Sequence, residues 1–145
     1  MIFKAQHADG IMLLPRNGCG ELCPETPGSA GIDLRAADTA TVEFGKITIV
    51  STLCQTIMPQ GFCALVCSRS GLAAKHGIMV VNAPGIIDSD FRDEVMVILT
   101  KVKNDGNPFE INVGDRIAQL VFIPVATSMN FNRPYREGGL GSTGS

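Results

Sequence analysis

Apolar residues fall in short runs along the chain, and turn-forming residues separate them. Met1-Ile2-Phe3 and Ile11-Met12-Leu13-Leu14 are the first two strand candidates. Residues 15–27 read as a loop, with Asn17-Gly18, Cys19-Gly20, Pro24 and Pro27. Residues 30–37 alternate weakly. In 41–50, Val42-Glu43-Phe44, the turn residues Gly45-Lys46 and Ile47-Thr48-Ile49-Val50 predict a hairpin. Pro59-Gln60-Gly61 is a further turn, and 62–66 is an apolar strand. Met79-Val80-Val81, the turn Pro84-Gly85 and then Ile86-Ile87 predict a second hairpin, since proline presets φ and glycine accepts φ > 0. The run Val95-Met96-Val97-Ile98-Leu99 is continuously apolar and fits a strand buried on both faces. Asn104-Asp105-Gly106-Asn107-Pro108 is a strong turn, 109–113 alternates, and Gly114-Asp115-Arg116 turns tightly. A last long strand covers 117–125, interrupted by Gln119, and beyond Pro124 the pattern dissolves. The prediction is an all-β, turn-rich fold.

One stretch differs. Leu72-Ala73-Ala74-Lys75 is the best helix-forming tetrad in the chain, Ser70 is a candidate N-cap, and Gly77 is placed to end the helix. A helix over about 70–76 leaves unpaired N–H groups and a partial positive charge at Ser70-Gly71. With Arg69 adjacent, this start suits a phosphate. The plainer reading is a capped connector with a solvated arginine.

Composition narrows the class. With 145 residues, 45% of them apolar and 18% charged, the chain is long enough for one domain with a real core. The net charge of -2 provides no basic field for nucleic acid, so an anionic ligand must be held by local arginines and backbone amides. No apolar run approaches the roughly 20 residues that span a bilayer. The first ten residues lack an uninterrupted apolar signal core, so the expectation is a cytoplasmic protein with no membrane partner. Cysteines at 19, 23, 54, 63 and 67 fit no closed disulfide framework. No second Cys or His pair completes Cys19-x3-Cys23, so reduced thiols are expected.

Several polar positions stand out against the apolar pattern. Side chains on a strand alternate faces, which puts Asp88 and Asp90 on one side, just beyond the Pro84-Gly85 turn. Adjacent carboxylates repel unless a cation, a water or a basic group lies between them. A solvated acidic loop is the alternative. Asp33, between Ile32 and Leu34, faces away from the core. Gln119 sits among Ile, Ala, Leu, Val and Phe and needs a defined hydrogen-bond partner. His76 reads as a packing or surface residue. In the tail, Gly138-Gly139-Leu140-Gly141-Ser142-Thr143-Gly144 is not a Walker A loop, since no lysine follows. Its amides can still wrap a phosphate, or it is a frayed end.

The order of these pieces is specific. Ala30-Gly31-Ile32-Asp33-Leu34 comes first, followed by the stretch from Arg69-Ser70-Gly71 to Lys75-His76-Gly77. Gly85-Ile86-Ile87-Asp88-Ser89-Asp90-Phe91, Gly114-Asp115-Arg116-Ile117-Ala118-Gln119-Leu120 and the glycine-rich tail complete the series. From about residue 2 onward the chain resembles the homotrimeric dUTPase family, whose members carry five motifs in this order. The resemblance implies a jelly-roll-like β-barrel with one short helix, formed by residues 1–129. Residues 130–145 then form a C-terminal arm that closes over an active site. It implies a homotrimer with three shared sites, and Mg²⁺-assisted hydrolysis of dUTP to dUMP and pyrophosphate. Such a reaction keeps uracil out of DNA and supplies dUMP for dTMP synthesis.

The resemblance also assigns roles. Asp88 matches the general base that activates a water for attack on the α-phosphorus, and Asp90 matches the second acidic position. Asp33 matches the residue that holds Mg²⁺ through water. Arg69, Ser70, Gly71 and Gln119 match phosphate contacts, as do Gly141, Ser142 and Thr143 of the arm. Asn82, Gly85, Ile87 and Asp88 belong to the hairpin that binds uracil, Phe91 lies under the deoxyribose, and Leu140 covers the base. Four positions depart from the family pattern. Phe91 stands for a tyrosine, keeping the ring that excludes a ribose 2′-hydroxyl. Leu140 stands for an aromatic, so base stacking worth about 1 kcal/mol is weakened. Tyr135 occupies the usual place of the arm's arginine, leaving Arg136 or Arg133 to serve. Asp93 replaces a glycine. A dCTP deaminase of the same superfamily is disfavoured by the 85–91 hairpin and by Lys75-His76-Gly77. A dUTPase-like regulator without turnover is disfavoured by the intact Asp88, Arg69, Ser70 and Gln119.

Overall fold

The structure, a computed structural model, describes residues 5–6, 10, 12–15 and 22–126. The strand candidate at residues 1–3, Cys19 and the arm at 130–145 lie outside the described residues. Eleven strands and one helix are described. They are β1 (Ala5–Gln6), β2 (Met12–Pro15), β3 (Ile32–Arg35), β4 (Ala40–Val42), β5 (Ile47–Ile57), β6 (Phe62–Cys67), α1 (Ser70–His76), β7 (Ile78–Val80), β8 (Gly85–Ile87), β9 (Glu94–Lys101), β10 (Phe109–Ile111) and β11 (Arg116–Pro124).

The strands form three antiparallel sheets, in the orders β1-β2-β5-β9-β7, β3-β11-β6-β8 and β10-β4. One core joins them. Val50, Val80, Val97 and Leu99 come from the first sheet, Leu34, Val66 and Leu120 from the second, and Val42 and Ile111 from the third. This is the all-β, jelly-roll-like fold with one short helix that the sequence predicts, with the sheets packed over a shared core rather than joined in one continuous ladder. Among the described residues no helix is long and apolar enough to cross a membrane.

Both predicted hairpins are absent, and for the same reason. β4 pairs with β10, whereas β5 pairs with β2 and β9. β7 pairs with β9, whereas β8 pairs with β6. The turns at Gly45 and at the cis Ala83–Pro84 peptide carry the chain from one sheet to another instead of folding it back. Each of these strands then contributes to the common core, β4 through Val42, β5 through Val50, β7 through Val80 and β8 through Ile87. β9 is also buried on one face only: Val95, Val97, Leu99 and Lys101 point inward, and Met96, Ile98 and Thr100 are half-exposed. That is normal for an antiparallel sheet.

The helix occupies its predicted span, but its cap is not the predicted one. Arg69, in extended conformation, is the N-cap residue, Ser70 is already helical, and no side chain caps the start. Gly77 ends the helix at φ 66°, donating its N–H to Ala73 O and Leu72 O. A side chain there is excluded twice, by the left-handed backbone and by Lys103, whose N would lie 2.8 Å from a Cβ.

Candidate active site

Two clusters of polar side chains form on the four-stranded sheet. The first lies where β3, β11 and the exit of β6 meet. Asp33 and Gln119 are directly opposed on β3 and β11, and Gln119 is opposed to Cys67 on β6. The chain leaves β6 through Ser68 and Arg69 and enters α1. Gln119 Nε2 donates to Ser68 O at 3.0 Å, which supplies the partner that its apolar surroundings demand. Ser68 Oγ accepts from Val80 N at 2.9 Å, tying this turn to β7. Gly31 lets the glutamine sit here, since a Cβ at that position would meet Gln119 Oε1 at 2.3 Å.

Arg69 lies across the same corner. Its Nε donates to Asp33 Oδ1 at 3.1 Å, and its Nη1 donates to Arg116 O at 3.2 Å. Arg116 Nη1 reaches the other carboxylate oxygen, Asp33 Oδ2, at 3.3 Å. One carboxylate thus bridges two guanidinium groups, with Glu25 at 3.7 Å from Arg116. Ser70 and Gly71 are exposed beside them at the start of α1.

The second cluster lies at the far end of the β6–β8 ladder. Ala64 is opposed to Ile87, so Asp88 follows level with Cys63. Asp88 and Asp90 line one pocket of about 420 Å³, with Phe62, Cys63, Leu65 and Ile86 among its walls. The two carboxylates share this pocket because the chain turns between them, with Phe91 N donating to Asp88 O at 3.1 Å. Strand alternation, the reason expected from sequence, stops at Ile87. Burial raises the pKa of the Cys63 thiol, and the Asp88 carboxylate raises it further. Phe91 is half-buried. Asn82 folds over Gly85, where a Cβ would come within 3.1 Å of Asn82 Nδ2.

The fold therefore brings Asp33, Arg69, Ser70, Gly71 and Gln119 together, and separately Asp88 and Asp90. Cys63 and Cys67 mark the two rows of β6, four residues or roughly 13 Å apart, and Arg69 lies beyond the second. Arg136, Leu140, Gly141, Ser142 and Thr143 lie outside the described residues. Sequence reasoning left Arg116 without a role, although it stands in the quoted motif. It also missed Cys63 as the neighbour of Asp88, for which there is no local signal.

Among the described residues no group of three or more His, Cys, Asp or Glu side chains could hold a metal ion directly. Asp33 Oδ1 and Oδ2 are engaged by Arg69 and Arg116, which leaves lone pairs for a water rather than for direct ligation of a cation.

The jelly-roll sandwich is a fold found in dUTPases. The dUTPase family model matches residues 20–144. The deoxyuridine 5'-triphosphate nucleotidohydrolase of Aeromonas hydrophila is 45% identical over 128 residues, covering 82% of this chain and 83% of the relative. That of Wolbachia pipientis from Culex pipiens is 44% identical over 132 residues, covering 84% and 85%. The chain belongs to the dUTPase family. Solved structures agree at the level of fold. A glycine-to-serine mutant of the dUTPase of Staphylococcus bacteriophage 80alpha with dUpNHpp superposes with a TM-score of 0.75 at 20% identity, over 95% of this chain and all of that one. An aspartate-to-asparagine mutant of the dUTPase from phage phi11 of S. aureus, a structure of the coordination of a structural Mg(II) ion, gives 0.74 at 20% identity over 85% and 95%.

Proposed function

We propose that the protein hydrolyses dUTP to dUMP and pyrophosphate in sites shared between the subunits of a homotrimer. The observation that carries this reading is the split of the site. The Asp33–Arg69–Gln119 corner suits a triphosphate, and the Asp88–Asp90 pocket suits water activation. They lie at opposite ends of β6 in one chain. A second copy that sets its acidic pocket against the first copy's corner completes the constellation. Ile86, 65% exposed beside the pocket, is apolar surface that such a neighbour would cover.

In this reading Asp88 accepts a proton from a water, and the water oxygen bonds to the α-phosphorus. The bond from that phosphorus to the α–β bridging oxygen breaks, and pyrophosphate leaves with the electron pair. Arg69, the Ser70 and Gly71 amides and Gln119 bind the phosphates and stabilise the charge that gathers on the leaving group. Asp90 supports the hydrogen bonds around the water. When bound, Mg²⁺ would neutralise phosphate charge, with Asp33 holding it through water. The turn from Asn82 through Gly85 and Ile87 receives uracil by backbone groups, and the Phe91 ring lies under the deoxyribose. Residues 130–145 act as an arm over the site, with Leu140 on the base. Gly141, Ser142, Thr143 and Arg136 or Arg133 reach the phosphates. A cytoplasmic location, the removal of dUTP before it enters DNA and the supply of dUMP accord with this chemistry.

The test is pyrophosphate release with Mg²⁺ from dUTP, UTP, dTTP and dCTP in parallel. Release from dUTP alone is the expected result. Comparable release from UTP would locate a loss of sugar discrimination at Phe91. No release from any of the four, with dUTP binding intact, would replace the enzyme by a nucleotide-binding regulator. Asp88→Asn should cut turnover to a small residual rate and keep dUTP binding, and undiminished activity would remove Asp88 from the role of base.

A further inference from the structure

The turn that carries Asp88, Asp90 and Phe91 is held from outside the four-stranded sheet. In the β5–β9 ladder, Ser51 is opposed to Met96 and Gln55 to Glu94. Three residues of β5, 52–54, therefore stand against the single residue Val95. This is a bulge, and it contains Leu53 at φ 52°, a conformation that a leucine rarely adopts. The Glu94 carboxylate sits inside it. Its Oε1 accepts from Thr52 N at 3.0 Å, from Leu53 N at 2.8 Å and from Ser51 Oγ. Thr52 Oγ1 donates to Val95 O at 2.6 Å and accepts from Cys54 N at 3.2 Å, closing the bulge on the strand side.

The bulge sets where β5 resumes pairing, and Gln55 is the first residue after it. The Gln55 side-chain amide donates to Arg92 O. Arg92 Nη1 in turn donates to Ser89 O at 2.6 Å and to Phe91 O at 3.1 Å. With Phe91 N on Asp88 O, these hydrogen bonds and the short β5 segment from Leu53 to Gln55 link the half-buried Glu94 carboxylate to the backbone of Asp88. A strained leucine and a three-donor carboxylate are costly features for a plain ladder, which needs neither. They are placed where the exit of the acidic turn must be fixed.

We propose that Glu94 and Gln55 are positioning residues for Asp88. The bulge locked by Glu94 presents Gln55 to Arg92, and the Arg92 guanidinium fixes the 88–91 turn. This inference rests on the reading of Asp88 as the base. Neither side chain is assigned a contact with substrate. A base displaced by about 1 Å can lose on the order of a hundredfold in rate.

The experiment is steady-state kinetics with dUTP for Gln55→Ala, Glu94→Gln and Glu94→Ala, each also made on an Asp88→Asn background. Expected for Glu94→Ala is a kcat lower by about ten- to a hundredfold, with KM within about threefold. Glu94→Gln keeps an oxygen that accepts the same N–H bonds and should recover most of the rate. Gln55→Ala, which removes one side-chain hydrogen bond to Arg92 O, should lose rate severalfold. On the Asp88→Asn background none should lower kcat further, since no base remains to be placed. An unchanged kcat in Gln55→Ala and Glu94→Ala overturns the proposal. So does an equal loss on both backgrounds, which would mark a purely structural role. Failure of the parent reading has a different signature, namely an Asp88→Asn single variant with undiminished activity.

Discussion

Asp33 and Arg69 are bonded to each other, Oδ1 to Nε at 3.1 Å, with about a quarter or less of each side chain exposed. Arg116 takes the other oxygen at 3.3 Å. The corner proposed for the triphosphate is therefore preformed: the carboxylate keeps two cations aligned that would otherwise repel across a half-buried surface. Asp33→Asn removes the charge and keeps the shape. Its stability cost should be about 1–2 kcal/mol, read as a shift of the urea midpoint. The larger effect should be on metal. The Mg²⁺ concentration for half-maximal turnover should rise about ten- to a hundredfold. An unchanged Mg²⁺ requirement would confine Asp33 to aligning the arginines.

Gly31→Ala tests the glutamine beside it. The added methyl meets Gln119 Oε1, the far end of a side chain that can swing away. Folding should therefore lose less than about 1 kcal/mol. The amide, however, would leave Ser68 O. Losing one such bond predicts a KM for dUTP higher by about three- to tenfold. Thermal melting and KM measured on the same preparation separate the two effects. A large drop in melting temperature with unchanged KM would show that the contact serves folding alone.

Lys101 and Asp105 give the stability an acid limb. The Lys101 amine is buried at 3% exposure and donates to Asp105 Oδ1 and Asn107 O. The hydrogen bond from Lys101, joined by that from Asn107 N–H, lowers the Asp105 pKa from 3.8 to about 2. As pH falls, the unfolded chain takes up this proton before the folded one. The contribution is thus complete above about pH 4 and is lost as pH falls through about 2. Asp105→Asn should melt at a lower temperature than the parent at pH 7, and the gap should close as pH approaches 2. Adding Lys101→Met should restore stability at pH 7, since it removes the buried ammonium left without its carboxylate. A gap that stays constant with pH would exclude this pair as its source.

Cys63 reports on Asp88. Burial and, to a smaller extent, the Asp88 carboxylate push the Cys63 thiol pKa up, so little thiolate is present near neutral pH. In a time course of iodoacetamide labelling read by peptide mass mapping, Cys63 should react far more slowly than the exposed Cys23. Asp88→Asn should speed Cys63 only modestly, because burial is the larger cause. No change at all would place the carboxylate away from the thiol.

Much of this was legible along the chain. Alternating apolar positions define the strands because each needs one face for the core, and that demand is local. Gly77 ends the helix because only glycine enters the left-handed region freely, also a local property. The lone Gln119 announces a hydrogen-bond partner by the cost of burying it unpaired, although its identity, Ser68 O, does not follow from sequence. The motifs that mark the family are contiguous, and so are read without a fold. What the tertiary structure decided is which elements meet. Gly45 and Pro84-Gly85 look like hairpin turns, yet β4, β5, β7 and β8 take their ladders elsewhere, since a turn constrains only its own few dihedrals and the core chooses the partners. The pairing of Asp33 with Arg69 spans 36 positions, and the seat of Glu94 in the Leu53 bulge spans 41. A side chain's nearest charge is set by chain folding in three dimensions, so no window of sequence contains it.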